Sequence, residues 1–315
     1  MEERVRPAPA PFDTALLEIV RQGDAATLRQ RPGFWDAADV HSRLTLSHLN
    51  DHPSARWLFK DMGRSAILTR ALLLESETEA VTLADLLQLT GRRNTSSTGR
   101  VVQVIRRAEK LGFIQTADAK GPWIRRRLLL LPRLIEHLRA RAKNEVTAAA
   151  VVAPELHPAV GALDDDRVFR RFLVTLRRFD GMPPDLRGPP TPAIRSFLQH
   201  ESGMAMLRSL QLAQPRQRAQ MLESAPFSRS ALARAGMVSR AHVTRVFEAA
   251  EEAGWLSLPT PRLVTFSPSL SEEFEWFFAV TFQVIRASAI AAMGGKPSAR
   301  RPARARHGQR AIVSA

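Results

Sequence analysis

The sequence of 315 residues contains no cysteine. This absence excludes disulfide frameworks, thiol nucleophiles and zinc sites built on thiolates. Acidic residues are also scarce relative to basic ones, since 31 Asp and Glu face 46 Lys and Arg and leave a formal charge of +15. Such a surplus is typical of proteins that bind polyanions. The remaining composition, 44% hydrophobic and 24% charged, favours a folded globular protein over a disordered or rod-like one.

We also expect neither a secretory signal nor a membrane span. Residues 1–6 alternate in charge and no apolar segment follows them, so we expect no secretory signal. One apolar stretch, Trp276 to Met293, contains Gln283 and Arg286. Because a central Arg costs roughly 2.5 to 3.5 kcal/mol on insertion into a membrane, we interpret this stretch as a packing helix. We therefore predict no membrane partner and a cytoplasmic, nucleoid-associated location.

No catalytic motif is present. The sequence has no Gly-rich phosphate loop, no nucleophile elbow and no His-Glu metalloprotease spacing. His48 and His52 have helical ligand spacing, but one such pair is too few for chelation, and Pro53 beside them indicates a helix boundary. The acidic run 164–166 precedes a predicted helix, whose dipole it complements. We predict a protein that is not an enzyme and has no metal and no cofactor.

The sequence repeats itself at a shift of 142 residues. In both copies apolar residues recur at i, i+3, i+4 and i+7, which predicts a helix with one buried face. Gly112 and Gly254 follow the two helices, where a left-handed C-cap is expected. The matched positions are Val101, Val104, Ile105 and Ala108 in the first copy and Val243, Val246, Phe247 and Ala250 in the second.

A shorter helix precedes each long one. Residues 83–89 and 229–234 have helical patterns, Thr82 and Ser228 are their expected N-caps, and a glycine follows each. A short helix, a turn and a longer helix with a Ser-rich start are typical of a helix-turn-helix. The second turn is three residues shorter than the first.

Two short β-prone runs follow each long helix and predict a wing of two strands. The strands are expected at 113–116 and 123–131 in the first copy, and at 256–258 and 263–266 in the second. The second wing is expected to be the smaller one. A proline then marks the start of a further helix in both copies.

These patterns predict a mainly α fold with two tandem winged helix-turn-helix units in a pseudo-dimeric arrangement. The expected divisions are a disordered N-terminus 1–11, a first unit 12–145 with its core at 66–131, a linker or frayed helix extension 146–165, a second unit 166–293 with its core at 204–268, and a basic disordered tail 294–315.

Residues at the N-terminal turns of the long helices are the candidates for reading DNA, because such a helix fits the major groove. Basic residues of the wing are candidates for phosphate contact. The first copy offers Arg92, Arg93, Asn94, Thr95, Ser96, Thr98, Arg100 and Gln103, with Lys120, Arg125 and Arg126 in its wing. The second copy offers Ser239, Arg240, His242 and Arg245.

Charge distinguishes the two copies. Residues 92–145 hold 14 Lys and Arg against 4 Asp and Glu, a net charge of +10. Residues 228–268 hold 5 against 3, a net charge of +2. Because phosphate neutralisation supplies most of the non-specific affinity for DNA, we expect the first copy to be the stronger reader. The second copy is then either a weaker reader or a unit kept for packing.

The two units resemble bacterial winged helix-turn-helix transcription regulators of the MarR-like family. The resemblance implies a homodimer-like assembly with intertwined terminal helices, here with two protomers fused in one chain that could bind an asymmetric operator. The residues that carry it are 81–87, 97–114, 126–128 with 131–132, 239–245 and 252–256.

We therefore expect a sequence-specific transcription regulator whose partner is double-stranded DNA. The alternatives are a DNA binder similar to plasmid replication initiators, and a scaffold whose winged helices bind a protein partner. The expected assembly is a monomeric pseudo-dimer or a homodimer.

Overall fold

The computed structural model describes residues 14–77, 81–91, 97–117, 122–179, 188–215 and 217–294. Within these residues the chain is mainly helical with two small antiparallel sheets, which confirms the predicted mainly α class. The expected N-terminus 1–11 and, apart from Gly294, the expected tail 294–315 lie outside the described residues.

The first half of the chain carries eight of the described helices and one sheet. The helices are α1 (Thr14–Arg21), α2 (Ala25–Arg29), α3 (Phe34–Asp51), α4 (Pro53–Phe59), α5 (Met62–Glu77), α6 (Leu83–Gly91), α7 (Thr98–Lys110) and α8 (Pro132–Val152). The strands are β1 (Val81–Thr82), β2 (Ile114–Thr116) and β3 (Arg127–Leu130).

The second half carries the remaining described helices and the other sheet. The helices are α9 (His157–Ala162), α10 (Asp166–Arg178), α11 (Pro192–Gln199), α12 (Gly203–Leu212), α13 (Arg229–Gly236), α14 (Arg240–Glu252) and α15 (Pro268–Ala292). The strands are β4 (Ser224–Pro226), β5 (Leu256–Thr260) and β6 (Leu263–Phe266).

A motif of five elements occurs twice. The first motif is β1, α6, α7, β2 and β3 (residues 81–130), and the second motif is β4, α13, α14, β5 and β6 (residues 224–266). In both sheets the last strand lies in the middle, with the orders β1-β3-β2 and β4-β6-β5. Strands β1 and β4 were not predicted, because strands of two and three residues are too short to show a period of two.

Local capping explains where the helices of the motifs begin and end. Thr82 and Asp85 form a capping box before α6: the Asp85 amide donates to Thr82 Oγ1 at 3.2 Å and the Thr82 amide donates to Asp85 Oδ2 at 3.0 Å. Ser228 Oγ accepts from the Ala231 amide at 3.2 Å, as predicted for the cap of α13. After α13 the left-handed residue is Met237, with φ of 51°, rather than the neighbouring glycine.

The strands that follow the two long helices differ from their prediction in two respects. The expected strand 123–131 is divided into a 3₁₀ turn, Trp123–Arg125, and the shorter β3. Strands β5 and β6 have five and four residues, so the second sheet is not the smaller one, and only its connecting loop is short. An irregular register between Ser257 and Thr260 accommodates Pro259 within β5.

The long helices of the two halves pack in matching pairs. Helix α3 packs along α8, and α10 packs along α15. Across the halves, α3 contacts α12 while α10 contacts α5, and α8 contacts α15. The buried hydrophobic residues of both halves belong to one cluster. Each half therefore completes its core with helices of the other.

Residues 146–165, expected to be a linker or a frayed helix extension, are largely helical. Helix α8 continues to Val152, a 3₁₀ turn and α9 follow, and Val146, Ala149 and Leu156 are buried. Alanine-rich composition here reflects close helix packing rather than flexibility. The acidic run that follows is anchored too: Asp165 caps α10, as its position predicted, and Lys143 Nζ lies 2.9 Å from Asp164 Oδ2.

Helix α15 contains the apolar stretch noted in the sequence. It is long and apolar enough to cross a membrane by length and composition, and 61% of its most apolar window is buried within the protein. Arg286 is among the buried residues, and it donates to Glu155 Oε1 at 2.7 Å and to the Ile19 carbonyl at 3.1 Å. Ile19 lies in α1, and Glu155 lies in the 3₁₀ turn that follows α8. Arg286 therefore links α15 to two other elements of the protein.

Candidate nucleic-acid interface

Helix α7 of the first motif presents a polar face opposite its buried one. Its N-cap is Ser97, whose hydroxyl accepts from the Arg100 amide at 3.3 Å, and the helix begins at Thr98. The buried face consists of the four apolar residues of the repeat. The exposed stripe on the other side, at i, i+4, i+7 and i+11, consists of Gly99, Gln103, Arg106 and Lys110.

Gln103 is the one residue of this stripe that the sequence analysis named as a candidate DNA contact. Thr98 and Gln103 are exposed as expected for residues that reach a partner. Arg106 and Lys110 were not among the candidates, because the prediction was confined to the first turns of the helix. Their signal was available in the sequence, since they continue the polar period from Gln103.

The 3₁₀ turn Trp123–Arg125 brings further positive charge next to α7. The Arg106 guanidinium lies over the Trp123 ring, 5.0 Å from its centroid, and the 3₁₀ turn that begins at Trp123 also packs against α6. Arg125 in this turn is exposed, and Arg126 is half-buried. The turn, rather than the expected strand, therefore positions these two arginines. We call Gln103, Arg106, Lys110 and Arg125 the basic face.

Arg100, a predicted DNA contact, forms an ion pair within the protein. Its guanidinium forms a short ion pair with Asp61, which is buried just before α5 and also accepts from the Arg64 amide at 3.1 Å. The side chain therefore points from α7 towards the helical body. A charge-assisted bond to a buried carboxylate is a strong local tie, so Arg100 fixes the orientation of α7 rather than extending the basic face.

The other candidates of the first copy lie outside the described residues. These are Arg92, Arg93, Asn94, Thr95, Ser96 and Lys120.

Helix α14 of the second motif has the same construction with different charges. Ser239 Oγ caps it by accepting from the His242 amide at 3.1 Å, and Arg240 and Arg245 are exposed as predicted. The exposed stripe equivalent to that of α7 consists of Ala241, Arg245, Glu248 and Glu252. Two positions that carry cations in α7 thus carry carboxylates in α14.

His242, another predicted DNA contact, is turned towards the protein. Its Nε2 lies 3.0 Å from the Glu201 carbonyl oxygen, and the ring is half-buried. The repeat makes His242 the counterpart of Arg100. Both side chains dock on the residues just before an equivalent helix, α12 in one case and α5 in the other. The position has a packing role in both motifs.

The first half of the chain holds the turn of the second motif. Lys60 is buried, and its Nζ donates to the Met237 carbonyl at 2.9 Å and lies 2.9 Å from Glu201 Oε1. Arg56 donates to the Ala235 carbonyl at 2.7 Å. Carbonyls at a helix C-terminus are favourable partners for cations. We call Arg56, Lys60 and Glu201 the interdomain clamp.

A histidine cluster lies beside the first motif. His48 and His52, noted for their spacing, are joined by His137 of α8, and one ligand nitrogen from each ring lies within 4.8 Å of the others. The helix boundary predicted at this point is confirmed, because α3 ends at Asp51 and α4 begins at Pro53. Burial lowers the pKa of His48 and of His137 to about 4, so both rings are neutral at pH 7. His137 was missed because the sequence does not reveal that α8 packs on α3.

Comparison of the chain with protein-family models, with curated proteins and with solved structures finds no match. Any assignment of function therefore depends on the residues themselves.

Proposed function

We propose that the protein is a sequence-specific DNA-binding transcription regulator without enzymatic activity, built as a pseudo-dimer of two winged helices. The first motif is its principal reader. The observation that carries this proposal is the basic face, where an exposed helix side with Gln103, Arg106 and Lys110 adjoins a turn with exposed Arg125.

The chemistry of the basic face suits duplex DNA. An α-helix fits the major groove, glutamine can bind adenine through two hydrogen bonds, and arginine can bind guanine in the same way. Lys110 and Arg125 lie farther along the helix and in the wing, where phosphates flank the groove, and their charges favour phosphate contact. In this arrangement Gln103 and Arg106 would read the bases, while the flanking cations would position the protein on the DNA backbone.

The reciprocal packing of the helices supports the pseudo-dimer. The contacts of α3 with α12 and of α10 with α5 exchange under an interchange of the two halves, as in an isologous interface. The interdomain clamp adds charged hydrogen bonds to this packing. The two motifs are therefore presented on one body, which suits a site with two unequal halves.

A protein partner for the second motif is the second candidate. The exposed stripe of α14 ends in Glu248 and Glu252, which repel phosphate. A basic protein surface would be complementary to this stripe. In this arrangement the first motif binds DNA while the second recruits another protein to it.

The proposal is tested by selecting genomic fragments that bind the full-length protein at about 0.15 M salt. We expect the wild type to enrich a defined site. The variant Gln103→Ala, Arg106→Ala, Lys110→Ala should lose about 100-fold in affinity for that site, because base contacts and phosphate contacts are removed together. Promoter sites would indicate a regulator, and repeated sites at an origin would indicate a replication initiator.

The matched control changes the equivalent positions of the second motif, Arg245→Ala, Glu248→Ala, Glu252→Ala. It should keep the selected site with an affinity within about threefold of the wild type, because the net charge of this stripe changes by only one. Thermal unfolding of both variants checks that the fold is retained. Uniform weak binding without a preferred site, or equal losses in both variants, would contradict the proposal.

A further inference from the structure

Three imidazole rings converge next to the first motif from different parts of the chain. His48 lies in the last turn of α3, His52 follows the end of that helix, and His137 lies on α8. His137 Nδ1 is 3.5 Å from His48 Nε2. The ring of His52 lies 4.8 Å from that of His48 and 4.4 Å from that of His137, measured between centroids.

This geometry is close to that of a metal centre. A tetrahedral zinc ion with Zn–N distances of about 2.0 to 2.1 Å separates its ligand nitrogens by roughly 3.3 to 3.4 Å. The 3.5 Å pair already has this separation, and all three ligand atoms lie within 4.8 Å of one another. His52 is exposed at a helix end, where a side-chain rotation can close the remaining distance.

Aromatic contacts hold His137 in place, and the side of the cluster at His52 is open to solvent. The ring of His137 stacks on Phe59 with 5.4 Å between centroids and lies 5.2 Å from Phe113. These contacts orient His137, and the exposure of His52 leaves the opposite side accessible to solvent. Three protein ligands with an open fourth position form a common zinc arrangement.

We propose that His48, His52 and His137 form a binding site for one Zn²⁺ ion per chain, with a water molecule as the fourth ligand. Imidazole nitrogens suit Zn²⁺, Cu²⁺ and Ni²⁺ better than Mg²⁺ or Ca²⁺. Two nearby guanidinium groups, those of Arg133 and Arg141, disfavour a dication at these rings, whereas the carboxylate of Asp51 favours it.

The position of the site would couple metal binding to the first motif. Zinc would join the end of α3 to α8. The ring of His137 also contacts Phe113, which lies between α7 and β2. Metal binding would then restrain the helix that carries the basic face. This consequence depends on the proposed function, whereas the zinc site itself does not.

The test is equilibrium dialysis of the untagged full-length protein against Zn²⁺, with the bound metal quantified and Co²⁺ absorbance as a report of four-coordinate geometry. We expect one Zn²⁺ per chain. His52→Ala, at an exposed position, should weaken binding by at least about 30-fold, since even residues that only orient ligands contribute 10- to 100-fold. His157→Ala removes an exposed histidine of α9 and should change nothing.

A second variant separates metal binding from aromatic packing. His137→Phe keeps a ring against Phe59 and Phe113, so it should remain folded while losing zinc binding to the same degree as His52→Ala. Substoichiometric binding by the wild type, or wild-type affinity in both variants, would overturn the proposal and leave the cluster as a packing feature. Because no DNA is present, this result is independent of whether the protein is a regulator.

Discussion

The first and second motifs share one arrangement of helices and strands but differ in the charge of their surfaces. Both have three-stranded sheets of the same order, serine caps 142 residues apart at Ser97 and Ser239, and a glycine with φ near 70° after the long helix. Yet residues 97–132 hold eight basic and two acidic residues, whereas 239–268 hold three of each. Caps and core define the fold, and substitutions of exposed residues change it little, so the surfaces were free to diverge.

The divergence is concentrated on the outer stripe of the long helix. Arg106 corresponds to Glu248, and Lys110 corresponds to Glu252. The inward position next to it was also replaced, since Arg100 corresponds to His242, but its packing role was kept. A position on a recognition-like helix therefore takes its role from the direction of its side chain, and the residue type alone does not decide it.

The largest effect is expected where the first half holds the second motif. Lys60→Ala should lower the free energy of unfolding by about 2 to 3 kcal/mol, because it removes a buried cation and leaves the Met237 carbonyl without its charged donor. Denaturant unfolding measures the change, and hydrogen exchange should show faster exchange in α13 and α14 than in α6 and α7.

Lys143→Ala is the matched control, since Lys143 pairs with exposed Asp164. A surface ion pair of this kind contributes about 0.5 kcal/mol. If both variants lose the same small amount, the interdomain clamp does not hold the second motif, and the other contacts between the two halves do so.

A smaller effect is expected when the second motif is given the charges of the first. Glu248→Lys, Glu252→Lys should raise the affinity for non-specific DNA at about 0.15 M salt by about tenfold and steepen its salt dependence, because two repulsive carboxylates become phosphate partners. Titrations of labelled duplex at several salt concentrations measure both quantities.

The control for net charge is Glu18→Lys, Asp36→Lys, which makes the same change at exposed positions outside both motifs. It should raise the affinity by no more than about twofold, because the added charges are not on the helix stripe that we propose to face DNA. An equal rise in the two double variants would mean that DNA responds to the overall charge of the protein and that the comparison between the two helix faces has no bearing on binding.

The sequence was sufficient to predict the elements whose signals are local. The repeat, the caps at Thr82 and Ser228 and the left-handed glycines at 112 and 254 all follow from short-range rules, and the structure has them where expected. Strand β1 was not predictable in this way, because its two residues become a strand only by pairing Val81 with Leu128.

Features that depend on packing between distant elements were missed. The sequence left a linker and a helix extension open at 146–165, because an alanine-rich composition suits both a flexible segment and a closely packed helix. Burial of Val146 and Ala149 distinguishes the two. His137 joins the histidine pair through the packing of α8 on α3. Arg100 and His242 were assigned to DNA because a helical period cannot show which polar residue finds an inward partner.

The smallest effects are expected at the two serine caps, where the motifs should behave alike. Ser97→Ala and Ser239→Ala each remove one acceptor for a helix N-terminal amide and should each cost about 1 kcal/mol in the free energy of unfolding. Only Ser97→Ala should also weaken binding to the selected DNA site, because it loosens the first turn of the helix that carries the basic face. Denaturant unfolding and DNA titration of the same two proteins measure both quantities.

Equal losses of stability with unequal effects on DNA binding would mean that the two motifs share their fold but not their function. If instead Ser239→Ala weakened DNA binding as much as Ser97→Ala, both helices would be readers, and the carboxylates of α14 would have to lie away from the phosphates.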